Sequence, residues 1–130
     1  MRLIPASFCL LLLGAAASHA APSSFQRSCE DVQIEVAGGE VYLVAQCRDR
    51  AGRYRPAELR LYGYQNDDGY LVRNGYGKSS FQRSCDQYWL DVGRTSVFLN
   101  GNCRTRNGRF RESRIELQDI SNDDGRLVGN

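Results

Sequence analysis

The chain has 130 residues, with 17 Lys and Arg against 15 Asp and Glu and a formal net charge of +2. That near-balance lacks the concentrated positive footprint by which proteins hold nucleic-acid phosphates, so no nucleic-acid partner is expected. The single histidine, His19, falls in a segment that reads as a removable leader. Without it, neither a Ser-His-Asp or Cys-His nucleophile nor a His-based metal hydrolase can be assembled, and an enzyme is not expected.

Residues 1–20 read as a secretory signal. Arg2 supplies a positive start, Phe8 to Ala17 an apolar stretch, and Ser18-His19-Ala20 a small-x-small site before Ala21. About ten apolar residues fall well short of the roughly 20 that a membrane-spanning helix needs, and no longer run follows. A secreted or periplasmic destination is therefore expected. Removing the leader takes away Arg2, His19 and Cys9. The remainder carries 16 Lys and Arg against 15 Asp and Glu, or +1, with four cysteines and Lys78 as its sole lysine.

Residues 21–130 form one domain in which a single sequence is written twice. Shifting the chain by 56 positions lays Ser24-Phe25-Gln26-Arg27-Ser28-Cys29 on Ser80-Phe81-Gln82-Arg83-Ser84-Cys85, and Asn66-Asp67-Asp68-Gly69 on Asn122-Asp123-Asp124-Gly125. Repeat 1 (24–74) and repeat 2 (80–130) match at 23 of 51 positions without a gap. Each half is near the size at which a core of its own becomes marginal, so the two should share one. Solenoids and propellers need three units or more; two units imply a closed, pseudo-twofold body.

Within each repeat apolar residues alternate with polar ones. Val32, Ile34 and Val36 predict a strand, Gly38-Gly39 a tight turn, and Val41, Leu43, Ala45 and Cys47 the return. Tyr88, Leu90 and Val92, the Gly93-Arg94-Thr95 turn, and Val97, Leu99, Gly101 and Cys103 repeat the pattern. Turns at Ala51-Gly52 and Asn107-Gly108 lead to third strands containing Leu59/Leu61 and Ile115/Leu117. Short helical turns are expected at Tyr62 to Gln65 and Gln118 to Ser121. Asp68-Gly69 and Asp124-Gly125 suit hairpin turns, with Leu71-Val72 and Leu127-Val128 returning. Arg73 to Ser79, with Gly75 and Gly77, reads as a flexible joint, the place for strand exchange between molecules. No segment keeps a helical period; the fold class is all-β.

Four cysteines in an exported chain imply two disulfides. Cys29–Cys47 with Cys85–Cys103 repeats under the 56-residue shift, although crossed pairings between repeats would also respect a twofold axis. A zinc site has neither His nor CxxC spacing to support it, so no metal is expected. The acid pairs Asp67/Asp68 and Asp123/Asp124 resemble a glycosidase's two carboxylates only superficially, because neighbours on a strand point to opposite sides. Arg27-Ser28 and Arg83-Ser84 precede the half-cystines, whereas Arg48, Asp49 and Arg50, or Arg104, Thr105 and Arg106, follow them. A disulfide within each repeat would gather these forked donors, hydroxyls and amides into a cluster suited to a hydroxyl-rich ligand; solvated loop residues retained after a duplication are the plainer reading.

The layout Ser-Phe-x-x-Ser-Cys, a second Cys 18 residues on, then Asn-x-Asp-Gly-x-Leu, all given twice, resembles the cyanovirin-N homology family over residues 24–130. The resemblance implies a pseudo-twofold all-β lectin with one disulfide per repeat and strand exchange between halves. It also implies pockets for mannose-rich oligosaccharides, neither metal nor cofactor, and a monomer or domain-swapped dimer. Carried over by position, one pocket gathers Arg27, Ser28, Arg48, Arg50, Asn122 and Asp124. The other gathers Arg83, Ser84, Thr105, Arg106, Asn66 and Asp68; Asp49, the counterpart of Thr105, is left out. Asp68 and Asp124 would accept from sugar hydroxyls, and the Arg forks would span neighbouring oxygens. Where the family's best-known member carries acids this chain has Arg48, Gln65 and Arg83, which makes the pockets donor-rich. The partners implied are oligosaccharides or glycoproteins. A secreted protein-binding or inhibitor module that keeps the fold without the sugar site is the alternative.

Overall fold

A computed structural model of the chain describes residues 20–129. The leader expected over residues 1–20 lies, apart from Ala20, outside the described residues. The ten strands are β1 (Cys29–Ala37), β2 (Glu40–Arg48), β3 (Tyr54–Arg60), β4 (Tyr62–Asp67), β5 (Tyr70–Lys78), β6 (Cys85–Val92), β7 (Val97–Arg104), β8 (Phe110–Leu117), β9 (Ser121–Asp123) and β10 (Arg126–Val128). Each repeat supplies a three-stranded antiparallel sheet, β1-β2-β3 or β6-β7-β8, followed by a hairpin, β4-β5 or β9-β10.

The hairpins change sides. β5 packs against β8, and β10 against β3, so each structural half joins the sheet of one repeat to the hairpin of the other. Leu71 at the start of β5 donates its N–H to the Ser113 hydroxyl of β8 at 2.9 Å. Both disulfides lie inside their own repeats, Cys29–Cys47 and Cys85–Cys103, which settles the pairing left open by symmetry. In each case the two half-cystines sit opposite one another across the first two strands.

One core serves both repeats. The alternation in β2 buries Val41, Leu43, Ala45 and Cys47, and β7 buries Val97, Leu99 and Cys103. These meet Phe25, Phe81, Leu61, Leu117, Tyr64 and Ile120 in a single cluster. The two plugs, Phe25 and Phe81, ride on short 3-10 turns, Phe25–Arg27 and Phe81–Arg83, which sequence periodicity leaves unassigned.

The helical turns expected at Tyr62 to Gln65 and Gln118 to Ser121 are not formed. Residues 62–65 belong to β4, where Tyr64 points into the core, and Gln118 bridges Pro22 before β9 begins at Ser121. The joint from Arg73 to Ser79 is likewise not a loose linker, because residues 73–78 complete β5 and Lys78 pairs with Tyr62. Pro22↔Gln118 and Lys78↔Tyr62 are the same pairing under the 56-residue shift, so the N-terminal segment does in one half what the joint does in the other. The next residue completes the match. Ser23 accepts from the Ile120 N–H and donates to the Leu117 carbonyl, and Ser79 does the same with Tyr64 and Leu61.

The hairpin turns obey their sequence. Asp68-Gly69 and Asp124-Gly125 have positive φ at both residues (51° and 88°; 52° and 88°), as a two-residue turn matched to strand twist requires. Among the described residues, no helix is long and apolar enough to cross a membrane.

Candidate functional site

In each half the Asn-Asp-Asp-Gly turn of one repeat docks on the loop after the second cysteine of the other. Asn122 donates to the Ser28 hydroxyl at 2.8 Å and to the Arg48 carbonyl at 2.9 Å, while its own Oδ1 accepts from the Gly125 N–H at 2.8 Å. Asp124 accepts from the Arg50 N–H at 2.8 Å. The second half repeats this arrangement. Asn66 donates to Ser84 and to the Arg104 carbonyl, both at 2.9 Å, its Oδ1 accepts from Gly69 at 2.7 Å, and Asp68 accepts from the Arg106 N–H at 2.8 Å.

The glycines matter twice here. A Cβ on Gly125 would lie 3.1 Å from Arg55 and 3.4 Å from Asp49; one on Gly69 would lie 2.9 Å from Thr105 and 3.2 Å from Arg111. Glycine thus supplies the left-handed backbone and also the room for one repeat to touch the other.

The structure therefore gathers Ser28, Arg48, Arg50, Asn122 and Asp124 in one half, and Ser84, Thr105, Arg106, Asn66 and Asp68 in the other. Arg27 and Arg83 sit on the adjoining 3-10 turns. Asn66 and Asn122 have both side-chain N–H groups and the carbonyl engaged, so they act as clips that hold the frame. Asp68 and Asp124 each spend one carboxylate oxygen on a loop N–H and keep the other. The side chains of Arg27, Arg48 and Arg83 make no hydrogen bond or ion pair among the described residues. Arg50 and Arg106 make only long contacts with Asp123 (3.9 Å) and Asp67 (3.5 Å). Exposed pairs of that kind contribute little, which leaves these guanidiniums available to a ligand.

Asp49 and Thr105 show where the halves differ. Asp49 is 8 % exposed, accepts from the Arg53 N–H at 2.9 Å and pairs with Arg55 at 2.7 Å. The Arg55 guanidinium, with the Arg53 N–H, holds its carboxyl below the ordinary carboxylate range. Thr105 fills the same place without charge, its hydroxyl lying 3.0 Å from the Arg109 carbonyl. Both residues brace their loop.

Two residues beside the site went unassigned in the sequence. Tyr54 and Phe110 open β3 and β8 opposite Arg48 and Arg104, and each is 48 % exposed. Phe110 forms the ridge between two depressions, one lined by Arg83, Ser84 and Arg104 and the other by Asp68, Thr105 and Arg109. The Arg104 guanidinium lies 5.9 Å from its ring centre. Aromatic rings expose a flat apolar face that complements the C–H face of a pyranose, and the aromatic kept at both positions under the 56-residue shift was the available signal.

A disulfide-pinned β body with a hydroxyl- and guanidinium-lined site in each half defines a lectin-type architecture for binding carbohydrate. The chain belongs to the CVNH family: the CVNH domain matches residues 25–128. It is similar to microvirin, solved as a complex with mannobiose, at 32% identity over 84% of this chain and 99% of that one, with a TM-score of 0.60. It is also similar to the CVNH protein of T. borchii, at 30% identity over 82% and 99% of the two chains, TM-score 0.61. The CVNH-LysM module from the rice blast fungus Magnaporthe oryzae shares the fold, with TM-score 0.66 at 18% identity over 85% and 99% of the two chains. No curated protein matches the chain.

Proposed function

We propose that this protein is an exported lectin that binds mannose-rich or related oligosaccharides at two pseudo-symmetric sites, without catalysis, metal or cofactor. One observation carries the reading. The same clip (Asn to Ser hydroxyl and Arg carbonyl, Asp to loop N–H) is built in both halves and presents guanidiniums, a hydroxyl, a free carboxylate oxygen and an exposed ring on a rigid sheet. Microvirin's complex with mannobiose, at 32% identity, supports a saccharide as the ligand. The N-terminal leader pattern supports export to the periplasm or the medium, where glycoproteins and free oligosaccharides are the partners. Single shallow sugar sites bind weakly, so useful avidity comes from engaging two epitopes of one branched glycan.

Calorimetric titration with mannobiose and with a branched oligomannose tests the reading. Two equivalents of mannobiose per chain, and tighter binding of the branched glycan, are expected. No heat with either sugar, and no signal across a glycan array, would overturn it.

A further inference from the structure

We propose that the protein carries a single anion subsite between its halves, formed by Arg27 and Arg94, which takes the sulfate or carboxylate of an acidic saccharide unit. The subsite extends the sugar site of one half and rests on the carbohydrate reading above. Gln26, Arg27, Val92, Gly93 and Arg94 line a cleft of about 650 Å³, large enough for one or two sugar rings. Neither guanidinium has an ion-pair or hydrogen-bond partner among the described residues, and no carboxylate lines the cleft. Arg27 is chain neighbour to Ser28 of the sugar site, which places the cleft beside that site in the chain.

The duplication supplies an internal control. On this side Gln26 donates to the Arg94 carbonyl of the β6-β7 turn at 3.4 Å; on the other, Gln82 donates to the Gly39 carbonyl of the β1-β2 turn at 3.2 Å. Both glutamines also reach back to a serine carbonyl, of Ser23 and of Ser79. The contacts are alike but one residue out of step, because Gly39 is the counterpart of Thr95 rather than of Arg94, and Arg27 and Arg83 are both kept. The β1-β2 turn beside Gln82, however, brings Gly38 and Gly39, and so no guanidinium where the β6-β7 turn brings Arg94. Two arginines lining one cleft suit an oxyanion, whereas one beside a pair of glycines does not. A neutral sugar draws little from the second charge, so Arg94 selects for acidic ligands.

The test is a titration followed by backbone amide NMR, using mannobiose, 6-O-sulfated mannobiose, a glucuronate-bearing disaccharide and inorganic sulfate. The sulfated or glucuronate sugar should shift the amides of Arg27, Gly93 and Arg94, and should bind about tenfold more tightly than mannobiose. That preference should weaken with salt. Arg94→Gly, which copies the glycine of the β1-β2 turn, should erase the preference and leave mannobiose affinity unchanged. Preference for sulfated over uronate sugar, or the reverse, identifies the oxyanion source. Equal binding of acidic and neutral sugars, a preference that survives Arg94→Gly, or inorganic sulfate competing as well as the acidic sugars would each overturn the proposal. Failure of mannobiose to bind, with Arg94-dependent shifts from the acidic sugars intact, would defeat the neutral-sugar reading and leave the anion subsite standing.

Discussion

Asn122 donates to the hydroxyl of Ser28 across 2.8 Å, although 94 residues separate them in the chain. With Asn66 and Ser84 this contact recurs in the other half at 2.9 Å. The two bonds join the end of each repeat to the start of a sheet, and they hold each Asn-Asp-Asp-Gly turn against the other repeat. The binding unit is therefore not the sequence repeat but a hybrid of both.

Asn122→Ala removes two donated bonds and one accepted bond and leaves the Arg48 carbonyl without its partner. A loss of about 1–3 kcal/mol in unfolding free energy is expected. Titration should then find one remaining sugar site, with Asn66→Ala giving the complementary result. Denaturant melts and calorimetric stoichiometry check both.

Gly69→Ala tests the close approach of the repeats. The added Cβ meets Thr105 at 2.9 Å and must adopt φ of 88°, whereas at Gly108, with φ of 84°, nothing lies within 4 Å. Gly69→Ala should cost about 1–3 kcal/mol by strain and contact together, and Gly108→Ala only the smaller conformational part. Parallel denaturant melts of the two variants distinguish these effects.

Acid should loosen one half first. The Asp49 carboxyl is held below its ordinary value of 3.8, chiefly by Arg55, so its ionised form favours the folded state. A group with a depressed folded-state pKa stabilises fully above its unfolded value and loses that contribution as pH falls through the folded value. The stability difference between the natural protein and Asp49→Asn should be constant near neutrality and shrink below about pH 4. Amide protection, relative to the intrinsic exchange rate, should fall under acid more for residues 48–53 than for 104–109, where Thr105 carries no charge.

Phe110→Ala should weaken oligosaccharide binding in its half about tenfold while leaving the melting temperature nearly unchanged, because the ring is half exposed and contributes little to the core. Tyr54→Ala should do the same in the other half. Titration alongside thermal melting tests whether these rings serve the ligand or the fold.

Much of this was legible in the residues. Alternation located β1, β2, β6 and β7, and the Asp-Gly pairs located both hairpin turns, because period and turn chemistry are local properties. The cross-repeat clip depends on which hairpin folds over which sheet, and no local pattern encodes that; family resemblance supplied it. Tyr62 to Gln65 misled because Gly63, at φ of 80°, interrupts the period where β4 shifts register against β5. The 3-10 turns at Phe25 and Phe81 are too short to show a period at all. Asp49 was passed over because its counterpart is Thr105, yet the two brace the same loop by different chemistry. Asn66 and Asn122 read as sugar ligands from position, and only the hydrogen-bond geometry reveals them as clips.

Backbone amide NMR during titration with mannobiose tests the hybrid sites most directly. Ser28, Arg48 and Arg50 should shift together with Asn122 to Gly125, and Ser84, Arg104 and Arg106 together with Asn66 to Gly69. Shifts confined to the residues of a single repeat, or scattered outside both sets, would contradict the account.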